Sequence, residues 1–224
     1  MIFIIDQPSL SGFAEYLVWQ QQEQVNGLIL SAQSASTFKC SSVIYQPQID
    51  PHHPKVHLLF CDLTATLSHT KTNQRYVEQH YKREFIIACR RALVRVRPGG
   101  HFICKLCDTL TRFTAGLIYL LYRSYESICL VRPFTLDPSC PERFLVCHRL
   151  KHPIQVAFVQ HLDYLLQHHE KDIDDVLEIV PFKCLVEPEF QQYLADTNQR
   201  LIQREIQALN KRLWYHKHQR GEQV

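Results

Sequence analysis

Residues 99–123, GGHFICKLCDTLTRFTAGLIYLLYR, constrain the fold more than any other stretch. Gly99-Gly100 turns the chain. Residues 101–106 then form a short apolar run containing one lysine. Over 109–122, Leu110, Phe113, Leu117, Ile118 and Leu121 recur at three- and four-residue intervals, the spacing of one helix face. The order is turn, buried strand, loop, buried helix. Lys105 stands where the strand runs out. A lysine there is costly unless its amine reaches a crevice or a carboxylate. In an open α/β sheet, that strand end is where ligands bind.

The rest of the chain alternates in the same way. Residues 2–5, 28–30, 43–45 and 56–61 read as strands, and 13–25 and 73–96 as amphipathic helices. Val77, Tyr81, Phe85, Ala88 and Leu93 make the buried stripe of the second helix. Residues 127–131 and 143–147 read as two more strands. The Pro-rich loop between them is too short for a crossover helix, so they pair antiparallel. This pattern predicts an α/β fold, a doubly wound, mostly parallel sheet with one antiparallel edge strand. From His152 the texture changes to helices at 153–169 and 189–214, with a possible strand at 176–180. Residues 1–150 therefore read as one domain, and 151–224 as a helical extension packed on it.

Composition narrows the class. A chain of 224 residues with 46% hydrophobic content has enough apolar surface for a real core. The net charge of +3 permits a nucleic-acid partner without requiring one. The nine cysteines include Cys61, Cys104, Cys129 and Cys147 inside apolar runs, which reads as reduced core thiols in an intracellular protein. Cys104 and Cys107 have CxxC spacing but no second pair, which argues against zinc. No apolar run reaches the length of a membrane span, and the N-terminus lacks a basic leader.

Topology brings distant residues together. Asp62 ends one parallel strand and Lys105 ends the next. Glu142 begins an antiparallel strand, whose start lies at the same sheet edge. The loop 6–12 opens there too. An amine between two carboxylates is more often a plain structural ion pair than a catalytic group. The location of this trio, at the ligand-binding edge, favours the catalytic reading.

Residues 99–133, with PERFLVC at 141–147, resemble the FtsJ/RrmJ-type RNA 2'-O-ribose methyltransferases. The similarity is closest to the mRNA cap 1 ribose methyltransferases. SGFAEYLVW at 11–19 and residues 179–209 extend it across nearly the whole chain. The resemblance implies a Rossmann-like methyltransferase sheet, S-adenosylmethionine as cofactor, and capped mRNA as substrate, in the nucleus or cytoplasm. It also implies a Lys-Asp-Lys-Glu tetrad, in which Asp62, Lys105 and Glu142 match the last three members. Lys105 is then the base that takes the ribose 2'-hydroxyl proton. Two carboxylates favour a charged lysine, and a base must be neutral; the cofactor sulfonium and the first lysine of the tetrad would oppose them. In the family that first lysine precedes the first strand, and no residue here takes its place. A longer chain carrying it upstream is one explanation.

The cofactor loop departs from the family pattern A-x-P-G-G-F. Here it reads PSLSGF, so Ser11 stands where a glycine would, followed by Gly12 and Phe13. With Asp62, these are the residues that would hold the cofactor; Asp50 is the nearest further acid. Two readings follow: a divergent active methyltransferase, or an inactive member of the fold that binds RNA or protein. Survival of Asp62, Lys105 and Glu142 together favours the first.

Other residues carry weaker signals. Arg112, Arg123, Arg132 and Arg143 are candidates for an RNA groove, and of these Arg143 has the motif match. Phe134 and Tyr45 are candidates to stack on a base, with packing the commoner role. The His52-His53 and His168-His169 pairs lack further ligands at metal spacing and read as surface histidines. Arg90, Arg91, Arg95 and Arg97 suit a helix C-terminus. Lys211, Arg212, Lys217 and Arg220, with Trp214 and Tyr215, make a basic, aromatic tail that is a candidate to touch RNA or a partner, with a fraying helix end the commoner case.

Overall fold

Short apolar runs become the strands of one sheet. The computed structural model of the protein describes residues 2–5, 26–29, 43–45, 55–64, 77–168 and 173–219, the first three segments as backbone. The strands are β1 (Ile2–Ile5), β2 (Asn26–Ile29), β3 (Val43–Tyr45), β4 (Val56–Asp62), β5 (Val96–Leu106), β6 (Tyr125–Val131) and β7 (Arg143–Leu150). They form a seven-stranded sheet of order β3-β2-β1-β4-β5-β7-β6. Strands β1 to β5 pair in parallel, and β7 is antiparallel to both β5 and β6. The single reversed strand thus lies one place in from the edge expected for it. Burial explains the order. Leu145 and Cys147 of β7 are fully buried, whereas β6 exposes Glu126, Ser127 and Cys129 and suits the rim. Cys129 therefore does not join the core thiols.

The helices are α1 (Val77–His80), α2 (Lys82–Arg95), α3 (Arg112–Ser124), α4 (Val156–His168), α5 (Phe182–Leu185) and α6 (Pro188–Gln219). The single helix expected over 73–96 is divided at Tyr81, which leaves helical geometry at φ −121° and ψ 18°. Helix α3 starts later than its periodicity suggested. Thr111 caps it, its hydroxyl accepting from the Thr114 amide at 3.2 Å. Leu110 precedes that cap and is exposed, not on the buried face. The expected strand over 176–180 does not form. This segment crosses α3 as irregular chain with Ile179 and Val180 buried, and a Cβ on Gly116 would come within 2.8 Å of the Ile179 Cβ.

Gly99-Gly100 does not end the chain's approach to the sheet. It lies inside β5, which starts at Val96. Val56 pairs with Val96 and Leu58 with His101, so two steps along β4 answer five along β5. Gly99 supplies the positive φ of 74° that this bulge needs. Gly100 is hemmed in: a Cβ there would lie 2.7 Å from the His57 carbonyl oxygen and 2.9 Å from that of Arg97. Gly100→Ala is expected to destabilise the fold by roughly 1–3 kcal/mol, read as a lower midpoint in urea unfolding.

One hydrophobic cluster runs through the molecule. Leu59, Phe85, Leu93, Phe102, Leu117 and Leu121 form its centre, and Leu162, Leu165, Ile179 and Phe190 join it from beyond residue 150. Arg90 of α2 pairs with Asp163 of α4 across this contact. All described cysteines are free thiols. Among the described residues no helix is long and apolar enough to cross a membrane, and no cluster of metal-ligating side chains occurs.

Candidate active site at the carboxyl edge of the sheet

The alternation of β5 decides which way its lysine points. Phe102, Cys104 and Leu106 are buried on one face, and His101, Ile103 and Lys105 project from the other. Asp62 is in register with Lys105 on the neighbouring strand, and the Leu63 amide donates to the Lys105 carbonyl at 2.9 Å. Residues paired in register share a face, so the acid and the amine stand side by side at the carboxyl ends of β4 and β5. Glu142 sits just before β7 and is brought to the same edge by the reversed direction of that strand.

The three side chains meet. Lys105 Nζ lies 3.0 Å from Glu142 Oε1 and 3.9 Å from Asp62 Oδ2. Asp62 is the most enclosed, with its side chain 6% exposed against 18% for Lys105 and 24% for Glu142. Its Oδ1 accepts from the Thr64 amide at 2.8 Å and the Thr64 hydroxyl at 2.7 Å. Those bonds fix the carboxylate and leave Oδ2 toward the lysine. Glu142 and Lys105 stay open enough to meet a substrate. The edge lies beside the point where the strand order reverses, between β1 and β4, which is the ligand crevice of an open α/β sheet.

Arg143 is not part of an RNA-facing surface. In a strand the residue after Glu142 points the other way, and Arg143 is 1% exposed. Its Nη2 donates to Asp108 Oδ1 at 2.8 Å and its Nη1 to Asn198 Oδ1 at 3.0 Å. Asn198 belongs to α6 and returns a bond from Nδ2 to the Thr109 carbonyl at 3.0 Å. Burial raises the Asp108 carboxyl above its ordinary range, and Arg143 works against that rise.

The loop after Lys105 is held from its other side by α1 and the residue after it. The buried Glu78 carboxylate accepts from the Leu110 amide at 2.7 Å, the Thr111 amide at 3.1 Å and the Thr111 hydroxyl at 2.6 Å. Tyr81 donates its hydroxyl to the Asp108 carbonyl at 3.1 Å. Of these clamps, Glu78, Asp108 and Asn198 were not singled out from the sequence, and Tyr81 was read only as part of a buried helix stripe. The signal for one of them was available, since Asn198 falls on the α6 side that carries Phe190, Leu194 and Leu201.

The remaining candidates separate as follows. Ser11, Gly12 and Phe13 lie outside the described residues, as do Asp50 and the His52-His53 pair. Arg112 pairs with Glu178 at 2.7 Å and Arg123 with Glu187 at 3.5 Å, away from the trio's own bonds. His168 Nδ1 bonds the Tyr164 carbonyl one turn back in its own helix, 3.0 Å away. Burial pushes the Cys107 thiol up to about 12, with Glu142 adding to the rise, so it stays protonated at neutral pH and is no nucleophile.

Comparison with known proteins now bears on this geometry. Residues 11–150 match the FtsJ-like methyltransferase family. Cap-specific mRNA (nucleoside-2'-O-)-methyltransferase 1 from Xenopus laevis is 27% identical over 89% of this chain, which spans 27% of that protein. The protein of that name from Ailuropoda melanoleuca is 30% identical and the one from Homo sapiens 28% identical, each over 89% of this chain and 28% of its own length. The chain thus spans little more than a quarter of these relatives. Among solved structures, a putative ribosomal RNA methyltransferase from Plasmodium falciparum aligns with a TM-score of 0.46 at 10% identity, over 66% of this chain and 86% of that one. Human methyltransferase-like protein 13, in complex with SAH, aligns with a TM-score of 0.43 at 12% identity, over 74% and 81%. A sheet that gathers acid, amine and acid at its ligand edge, and a family match across more than half of its residues, make this chain a member of the FtsJ-like methyltransferase family.

Proposed function

We propose that this chain carries the methyl-transfer centre of an S-adenosylmethionine-dependent RNA ribose 2'-O-methyltransferase that acts on the cap-proximal nucleotide of mRNA. The observation that carries the reading is the contact of Lys105 with Glu142 and Asp62 at the ligand edge. The substrate class rests on the similarity to the cap-specific relatives. The residues described at the crevice suit such a cofactor, because the fixed, enclosed Asp62 carboxylate offers negative charge to a sulfonium. The cofactor supplies an activated methyl group on sulfur.

In this reading Lys105 Nζ accepts the proton of the ribose 2'-hydroxyl. The freed oxygen would then be the nucleophile for the methyl group that the bound cofactor supplies. Lys105 then holds the proton as an ammonium stabilised by both carboxylates. Glu142, 3.0 Å away, orients the amine toward the hydroxyl. Asp62 is fixed by Thr64 and cannot follow the amine, so it defines one wall of the site.

The test offers the full chain radiolabelled S-adenosylmethionine with capped and uncapped RNA of one sequence. Label on the 2'-oxygen of the first transcribed nucleotide of the capped RNA is the expected result, with cofactor binding of roughly micromolar Kd by calorimetry. No transfer to either RNA overturns the enzymatic reading. Equal transfer to both overturns the cap preference.

A further inference from the structure

We propose that the groove between the loop 132–142 and α6 is a second binding site, taking the single-stranded RNA that flanks the acceptor nucleotide. The proposal rests on the reading above and extends it to a place outside the catalytic trio. The groove has a volume of about 400 Å³, and its lining includes Arg132, Phe134, Leu136, Arg204, Gln207 and Lys211. That is within the range of small-ligand sites, roughly 300–1,000 Å³.

Charge identifies the occupant. No carboxylate lines the groove. Other described arginines are matched: Arg112 with Glu178, Arg123 with Glu187, Arg143 with Asp108 and Arg212 with Asp137. Arg132, Arg204 and Lys211 make no ion pair among the described residues. Arg132 donates to the Asp137 carbonyl at 3.0 Å, and its buried Nε–H has no acceptor. The acids that feel its charge are Glu205 on α6, Asp108, held by Arg143, and Asp137, held by Arg212, and none of them forms an ion pair with it. Three cations facing one groove call for a polyanion.

Shape narrows the choice further. Phe134 is completely exposed at the rim, although it is a large apolar ring. Pro133, Leu136 and Pro138 give the groove an apolar floor. A ligand that presents anionic groups together with flat aromatic faces satisfies both features. Single-stranded nucleic acid does so, with phosphates on the cations and a base on the ring. An acidic peptide satisfies only the first. The loop that forms one wall leads along the chain into Glu142, which ties the groove to the catalytic edge through one short segment.

The experiment measures binding of a fluorescent, uncapped 12-nucleotide RNA to the full chain by anisotropy at several salt concentrations, without S-adenosylmethionine. The double variant Arg204→Glu, Lys211→Glu is expected to bind at least 10-fold more weakly. Its salt dependence is expected to flatten by about one unit or more in log–log slope, as for the loss of two phosphate contacts. Phe134→Ala is expected to weaken binding about 5-fold or more. All three residues are exposed, and the far-ultraviolet circular dichroism of each variant checks its fold. Unchanged affinity in both variants overturns the proposal. So does equal competition by poly-glutamate of matched charge, which would indicate an acidic protein partner. Because no methyl donor is present, the two readings fail separately. RNA held by the groove without methyl transfer fails the enzymatic reading alone, and transfer with groove-independent binding fails this one alone.

Discussion

Lys105→Ala is expected to lower methyl transfer to capped RNA by about 10²- to 10⁴-fold, the range a positioned general base supplies. The fold is expected to survive. Asp62 keeps both bonds from Thr64, and Glu142 is exposed enough for water to replace the amine. Single-turnover transfer measures the first expectation and urea unfolding the second. Lys105→Arg separates charge from proton transfer. A guanidinium keeps the positive charge between the two acids and does not act as a base at neutral pH, so it is expected to remain as inactive as alanine. Transfer at the parental rate in either variant would remove Lys105 from the mechanism.

Arg143→Leu is expected to cost more stability than any change at the trio. It removes the guanidinium that sits between Asp108 and Asn198, and it leaves Asp108 as an uncompensated, half-buried acid. Breaking a buried pair from one side costs about 3–5 kcal/mol, and in a chain of this size each kcal/mol lowers Tm by roughly 2–4 °C. Because burial raises the Asp108 carboxyl and Arg143 holds it down, losing the arginine should let that acid take up a proton at higher pH. The double variant Arg143→Leu, Asp108→Asn should then regain part of the loss. Thermal unfolding of the single and double variants checks both statements. A single variant as stable as the parent would show that the buried arginine is not what ties the sheet to α6.

The contact of Asp62, Lys105 and Glu142 was legible because strand direction alone fixes it. Parallel strands end where an antiparallel neighbour begins, whatever the side chains between. Arg143 was misread although the same rule held the answer. If Glu142 faces the crevice, the next residue in the strand must face away. The glycine pair shows a different limit. Gly99-Gly100 fits a turn or a bulge equally well, and only the pairing of Val96 with Val56 tells which. Residues 176–180 are apolar enough for a strand, but their partner is the bare backbone at Gly116 of a helix, not a neighbouring strand. Leu110 kept the helical period and lost the burial, because the cap at Thr111 begins the helix after it. Spacing along α6 puts Asn198 on the packed side of that helix, but its partner Thr109 lies 89 positions away, which local spacing does not carry.

The join between Arg143 and Asn198 has an evolutionary consequence. The texture of the sequence changes near residue 150, yet Arg143, the neighbour of Glu142 on one side of that point, is tethered to α6 on the other. Such halves cannot be exchanged freely between relatives, because recombination at that seam would trade away the anchorage of the very strand that presents the acid. A hybrid joined at that seam is expected to lose the bond of Arg143 to Asn198 unless both partners come with it.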